Sequence, residues 1–282
     1  MKLLIFGYGF SAKAFAKAAP DDWEIIATTR SAEKAAQMQG VTPRIFPGDD
    51  LRQDVAEATH ILISAGPQDG RDPVLAELRD AFAAAKPEWV GYLSTTGVYG
   101  DHQGGWVTED TPLTPTSVRG EARVATEGEW LELYRDHGLP VHIFRLAGIY
   151  GPGRGPFAKV RSGNARRVVK ENQVFSRTHI DDIAQVLLAS IARPNPGAAY
   201  NVCDDQPAPP QDVIAHAAKL LGLPIPPEVA FEDAEMTPMG RSFYSESKRV
   251  DNTRIKEELG VKLLYPDYDT GLTALLSAER EG

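Results

Sequence analysis

The stretch Gly7-Tyr8-Gly9-Phe10-Ser11-Ala12 has the residue types and spacing of a cradle for a dinucleotide diphosphate. Its first glycine permits a tight turn and its second lets a phosphate approach the backbone. Ala12, in the third small position, keeps the following helix close to its strand. Free N–H groups at the start of that helix, on Phe10 and Ser11, present partial positive charge to the phosphates. About twenty residues on, an NAD site carries an acid for the ribose 2′-hydroxyl. Here the sequence reads Thr29-Arg30-Ser31, with Lys34 one turn further. A guanidinium at a helix start sits poorly with the helix dipole but suits a 2′-phosphate. The pattern points to NADP in preference to NAD. A plain connector turn and a merely exposed arginine are the blander readings of the same residues.

The elements around these residues follow from the hydrophobic pattern. Lys2–Phe6 is an apolar run of strand length, and Phe10, Ala14, Phe15 and Ala18 share one helical side. Trp23–Thr28 is a second strand, and Ser31 caps a helix from Ala32 to Gln39 that Gly40 ends. Arg44–Phe46 is a third strand, with Asp50 and Leu51 in a loop placed to pass beside the adenine. A fourth strand begins at His60, which reads as a surface residue, and ends at Ala65-Gly66, small enough for a cofactor to lie across. Asp72-Pro73 opens a helix to about Lys86. A fifth strand runs from Trp89 to Ser94, a helix from about Val118 to His137 and a sixth strand from Val141 to Leu146. Strands and helices that alternate in this way predict an α/β fold with a doubly wound, Rossmann-type parallel sheet. Ligands collect at the carboxyl ends of such strands, which brings Ser94 to the expected cofactor site.

A chain of 282 residues suffices for one large α/β domain with an appendage or two modest ones. The formal net charge of −9 argues against nucleic acid or an anionic membrane surface as a partner. The single cysteine, Cys203, excludes an internal disulfide, and no Cys/His cluster has zinc spacing. No apolar stretch has the length of a membrane span, and the first strand starts at once, so a cytoplasmic protein acting on a small molecule is expected.

Four segments resemble the extended short-chain dehydrogenase/reductase superfamily in its NAD(P)-dependent epimerase/dehydratase branch. They are Leu93-Ser-Thr-Thr-Gly-Val-Tyr-Gly100, Phe144-Arg-Leu-Ala-Gly-Ile-Tyr-Gly-Pro-Gly153, Thr178-His-Ile-Asp-Asp-Ile-Ala184 and Ala199-Tyr-Asn-Val202. The resemblance runs in order over about residues 1–265. It implies a dinucleotide-binding domain over 1–150, joined by about 176–204, and a smaller substrate lobe from 151–175 and 205–282. It also implies that Thr95 is the catalytic Ser/Thr that hydrogen-bonds the reacting oxygen. Helices 73–86 and 118–137 are the surfaces across which many relatives form homodimers.

The family's catalytic helix carries Tyr-Gly-x-x-Lys, and this sequence departs from it. Arg119 stands at the tyrosine position and Arg123 at the lysine position, with Glu127 four residues on. A guanidinium stays protonated, so Arg119 cannot exchange a proton as a phenol does, although it can grip a carboxylate or phosphate. Arg123 can still donate to a nicotinamide ribose. Tyr99 is the remaining candidate proton donor. Tyr244-Ser-Glu-Ser-Lys248 spells Tyr-x-x-x-Lys too far downstream to serve. Lys159–Lys170 carries five basic residues and no acid, which suits either an anionic substrate or a solvated hairpin face over Arg167–Arg177. Met236–Arg249 is placed to touch a ligand or to pack as a loop. Two functions follow as expectations. One is an atypical NADP-dependent oxidoreductase or epimerase-like enzyme for a small, anionic substrate. The other is a non-catalytic NADP(H) sensor.

Overall fold

The computed structural model describes residues 1–281. In chain order the elements begin β1 (Lys2–Phe6), α1 (Phe10–Ala18), β2 (Glu24–Thr29), α2 (Ala32–Ala36), β3 (Thr42–Ile45), α3 (Arg52–Glu57), β4 (His60–Ile63) and α4 (Pro73–Ala84). They continue with β5 (Trp89–Thr95), β6 (Trp106–Val107), α5 (Val118–His137), β7 (Val141–Leu146), β8 (Gly148–Tyr150), α6 (Phe157–Arg161), β9 (Arg167–Val169), β10 (Arg177–His179), α7 (Ile180–Ala192) and β11 (Ala199–Val202). The last are α8 (Pro210–Leu220), β12 (Glu228–Ala230), α9 (Pro238–Ser242), β13 (Arg249–Val250), α10 (Thr253–Glu257) and α11 (Tyr268–Glu281).

Seven strands form one parallel sheet in the order β11-β7-β5-β4-β1-β2-β3. Side chains alternate across it, as the pleat requires. Leu3 and Ile5 of β1 pack on the face covered by α1 and α7, with Phe15, Trp89 and Ile183. Leu4 and Phe6 pack on the opposite face under α4 and α5, with Phe82 and Trp130. The order reverses between β1 and β4, and at such a switch point two loops part to leave a crevice. Here the glycine turn closes onto the end of β4: a Cβ on Gly7, at φ +88, would stand 2.9 Å from the Ala65 nitrogen.

A separate apolar cluster joins Tyr150 and Phe157 to Val213, Ala217, Leu272 and Leu275, from α6, α8 and α11. The tail is not wholly in this lobe. Ile255, Leu259 and Val261 around α10 pack with α1 and α7 on the main sheet, anchored where the Tyr200 hydroxyl donates to Glu258 at 2.9 Å. The expected hairpin over Arg167–Arg177 does not form either. Its two halves pair with other strands, β9 with β12 and β10 with β8, both parallel. His60 is 3 % exposed and not a surface residue; it lies between the rings of Trp23 and Trp89.

Asp72 shows how local sequence and packing meet. Its Oδ1 accepts from the Val74 and Leu75 amides at 2.7 and 3.0 Å, capping α4, and its Oδ2 accepts from Trp130 of α5 at 3.0 Å. Asp72→Ala orphans the indole N–H in the core as well as the cap. We expect a loss of about 2–3 kcal/mol in urea unfolding, and a smaller one for Asp72→Asn.

Candidate active site

The glycine turn is tied to β2, where the Gly7 amide donates to the Thr28 hydroxyl at 2.8 Å and the Tyr8 amide to the Thr28 carbonyl at 2.9 Å. Beyond it α1 starts without a side-chain cap, and no acid occupies its first turn. The Phe10, Ser11 and Ala12 amides have no acceptor among the described residues. A Cβ on Gly9 would meet nothing within 4 Å. The turn therefore leaves donors and open space together, which is what a diphosphate requires.

At the end of β2, Ser31 caps α2 through the Lys34 amide at 3.2 Å, as its sequence position implies. Arg30 and Lys34 are exposed, and Arg30 has no hydrogen bond or ion pair among the described residues. Beside them an open pocket of about 450 Å³ is lined by Tyr8, Lys13, Thr29, Lys34, Gln37, Met38 and Gln39. It holds two lysines and no acid. Lys13 lies on the outer side of α1, and its role was not visible in sequence because one basic residue in a helix carries no signal of its own.

The expected adenine loop is different. Leu51 is fully buried in the core under α4. Asp50 is held by the Arg52 side chain at 3.1 Å and lines a groove with Lys2 and Glu24, residues that begin β1 and β2. The carboxylate is thus turned from the strands' carboxyl ends, and neither residue faces the cofactor crevice.

The carboxyl end of β5 carries the remaining candidates. Thr95 is half-buried, and its hydroxyl accepts from the Gly97 amide at 3.1 Å while keeping its own proton to donate. Arg119, on the first turn of α5, is exposed, and its guanidinium has no hydrogen bond or ion pair among the described residues. Arg123 reaches inward from the next turn. Its Nη1 donates to the Tyr92 hydroxyl at 2.9 Å and the Leu93 carbonyl at 2.6 Å. Its Nη2 lies over Gly66, just past the end of β4, close enough that a Cβ there would displace it. Thr95, Arg123 and Ala65-Gly66 are thereby gathered at the switch point.

Ser94 and Tyr99 are corrections. The Ser94 hydroxyl donates to Glu127 at 2.5 Å and is 5 % exposed, so it turns into the protein and away from a cofactor. Tyr99 is fully buried. Its hydroxyl donates to Asn201 Oδ1 at 2.7 Å and accepts from Arg145 at 2.9 Å. Burial pushes that phenol up to about 12, with Arg145 pulling the other way. It is no proton donor to a substrate. Both belong to one buried network, in which Arg145 Nη2 meets Glu127 Oε2 at 2.8 Å with side-chain exposures of 7 % and 2 %. Burial would lower the guanidinium's pKa, but the Glu127 carboxylate reverses the direction and holds it above its ordinary value.

The stretch before β13 fastens the opposite rim. Lys248 Nζ donates to the Gly100 carbonyl and to Glu246, both at 2.6 Å, while Thr116 donates to Glu246 at 2.8 Å. The Ser247 amide donates to Asp101 at 2.7 Å. Tyr244 stacks on Phe231 and meets Phe175 edge to face. The downstream Tyr-x-x-x-Lys is accordingly a packing device.

Comparison with known proteins sets this geometry in context. A family model described as the NAD dependent epimerase/dehydratase family matches residues 74–203. Protein YeeZ of Escherichia coli (strain K12) is 30% identical over 94% of this chain and 97% of its own. A functionally unknown conserved protein from Silicibacter pomeroyi DSS is 57% identical, with a TM-score of 0.92 over 100% of this chain and 99% of that one. The UDP-glucuronic acid 4-epimerase of Bacillus cereus, solved with UDP-glucuronic acid and NAD, superposes with a TM-score of 0.81 over 100% and 99% of the two chains. At 17% identity that likeness is one of fold. Among the described residues no helix is long and apolar enough to cross a membrane.

Two measurements test the buried groups. Removing Glu127 strands the Arg145 charge, so Glu127→Ala should cost about 3–5 kcal/mol in urea unfolding. Asp204, 2 % exposed at the end of β11, is pushed by burial from 3.8 up to about 8, against the pull of Arg177. A raised acid favours the folded state when protonated. Its contribution is full below the unfolded value and is lost as pH rises through the folded one. Asp204→Asn should therefore gain in melting temperature on the wild type as pH rises from about 5 to about 8.5.

Proposed function

Because the chain belongs to the NAD dependent epimerase/dehydratase family, we propose that it is an atypical oxidoreductase or epimerase-like enzyme, using NADP and acting on a small anionic substrate. The observation that carries the cofactor choice is the open pocket at the end of β2, lined by Lys13 and Lys34 without an acid, next to Arg30, which is unpaired among the described residues. An NAD site would place a carboxylate there. Arg30 and Lys34 hold the 2′-phosphate in this reading, and Gly9 with the Phe10 and Ser11 amides receives the diphosphate. The free Nη2 of Arg123 serves a ribose hydroxyl. When bound, the nicotinamide supplies a hydride acceptor or donor.

The chain's own part in the chemistry is to orient and to recognise charge. Thr95 donates its hydroxyl proton toward a reacting oxygen. Arg119 offers a planar fork to a carboxylate or phosphate, which a lysine or tyrosine in its place would not match. The two arginines put fixed positive charge where the family resemblance leads one to expect a proton-exchanging tyrosine and its lysine. The sequestration of Tyr99 is the observation that favours a second reading, a cofactor-sensing protein that binds NADP(H) and turns over nothing.

Calorimetric titration tests the cofactor. NADP⁺ should bind more tightly than NAD⁺, and Arg30→Ala should weaken NADP⁺ by about tenfold or more while leaving NAD⁺ nearly unchanged. Equal affinity for the two nucleotides overturns the specificity. NADPH oxidation over a panel of carbonyl compounds, half of them carboxylates, tests the enzyme. Turnover that Arg119→Ala abolishes supports anion recognition; binding with no turnover on any compound supports the sensor.

A further inference from the structure

We infer that Arg154 is a second diphosphate ligand, which reaches the glycine turn from the side of the small lobe; this rests on the cofactor reading above. The residue sits just past β8, in the turn Gly151-Pro152-Gly153-Arg154. Two backbone hydrogen bonds close that turn, Gly151 to Arg154 at 2.8 Å and Arg154 to Gly151 at 2.9 Å. Proline at its second position and Gly153 at φ +71 in its third are what a type II turn demands. The backbone is thereby rigid at the place from which the side chain departs.

The turn is pressed against the helix that starts the nucleotide site. A Cβ on Gly151 would stand 2.6 Å from Ile180 Cγ2 and 3.3 Å from Phe10 Cζ, so glycine is required for this approach. The Arg154 guanidinium lies over the Phe10 ring, 5.5 Å from its centroid. Phe10 is the first residue of α1, the one whose amide and its two successors lack acceptors. The Arg154 guanidinium has no hydrogen bond or ion pair among the described residues. The nearby lobe arginines differ, since Arg161 is bound by Glu279 at 2.5 Å and Arg167 by Glu228 at 2.8 Å.

These observations place an uncommitted guanidinium beside uncommitted amides. A diphosphate carries more acceptor oxygens than three backbone amides can serve. The stack on Phe10 orients the planar fork, which matches two phosphate oxygens at once. The amides grip the diphosphate from the helix, and Arg154 grips it from across the crevice. The Phe10 ring serves as the platform, a use that neither the glycine spacing nor the apolar pattern of α1 suggests.

Arg154 is exposed, so its variants should fold, which unchanged circular dichroism melts verify. The test is titration of NADP⁺, NAD⁺ and adenosine 2′-monophosphate into the wild type, Arg154→Ala and Arg154→Lys. Arg154→Ala should weaken NADP⁺ and NAD⁺ by the same factor, about tenfold to a hundredfold. Adenosine 2′-monophosphate, which has no diphosphate, should be unaffected, and Arg154→Lys should recover only part of the loss. This separates Arg154 from Arg30, whose removal acts on the 2′-phosphate alone. Unchanged dinucleotide affinity in Arg154→Ala overturns the proposal and leaves the cofactor reading intact. An equal loss for adenosine 2′-monophosphate also overturns it, since a general field effect then explains the change. A wild type that binds neither dinucleotide overturns the cofactor reading and this inference together.

Discussion

The buried pair of Glu127 and Arg145 is the interaction on which the site depends. It joins α5 to β7, takes in Ser94 from β5 and reaches β11 through Tyr99 and Asn201. Two charges out of water are stable only when their remaining donors and acceptors are also met. Here the second carboxylate oxygen accepts from Ser94, and Arg145 Nη1 donates to Tyr99 and to the Glu109 carbonyl. The Asn201 amide returns to the Glu109 carboxylate at 2.8 Å. The consequence is positional. Helix α5 is locked onto the ends of three strands, which sets where Arg119 and Arg123 emerge relative to Thr95.

At the two positions where the family resemblance leads one to expect a proton-exchanging tyrosine and its lysine, this chain has Arg119 and Arg123. Arg123 is anchored, since the buried Tyr92 hydroxyl and the Leu93 carbonyl hold one end of its fork. Arg119 has nothing of the kind. One arginine is therefore part of the wall, and the other is offered to whatever enters.

The parallel sheet was legible in the sequence because its strands are short apolar runs between glycines and capped helices. Val141–Leu146 is read to the residue, and Ser31, Asp72 and Gly138 mark helix boundaries as their chemistry requires. The glycine turn was legible for the same reason, being a backbone requirement expressed in single residues. What failed was side-chain direction. Ser94 and Thr95 are neighbours on β5 and point to opposite faces, so only one can meet a ligand. Tyr99 looks free in the sequence, and its two partners lie 46 and 102 residues away. The pairing of β9 and β10 was misread because a local turn signal competes with strands outside the segment, β12 well after it and β8 before it. Arg154 went unremarked since its neighbour Phe10 lies on a distant element.

The link from Lys248 to the Gly100 carbonyl has a consequence for traffic through the crevice. With Ser247 held by Asp101 and Glu246 by Thr116, the chain after β5 and the chain before β13 form a single rim. Neither can be lifted alone without stranding a buried ammonium. A molecule exchanging with solvent therefore meets a rigid sill on this side. At the first turn of α1, by contrast, Arg154 is exposed and lies over the Phe10 ring.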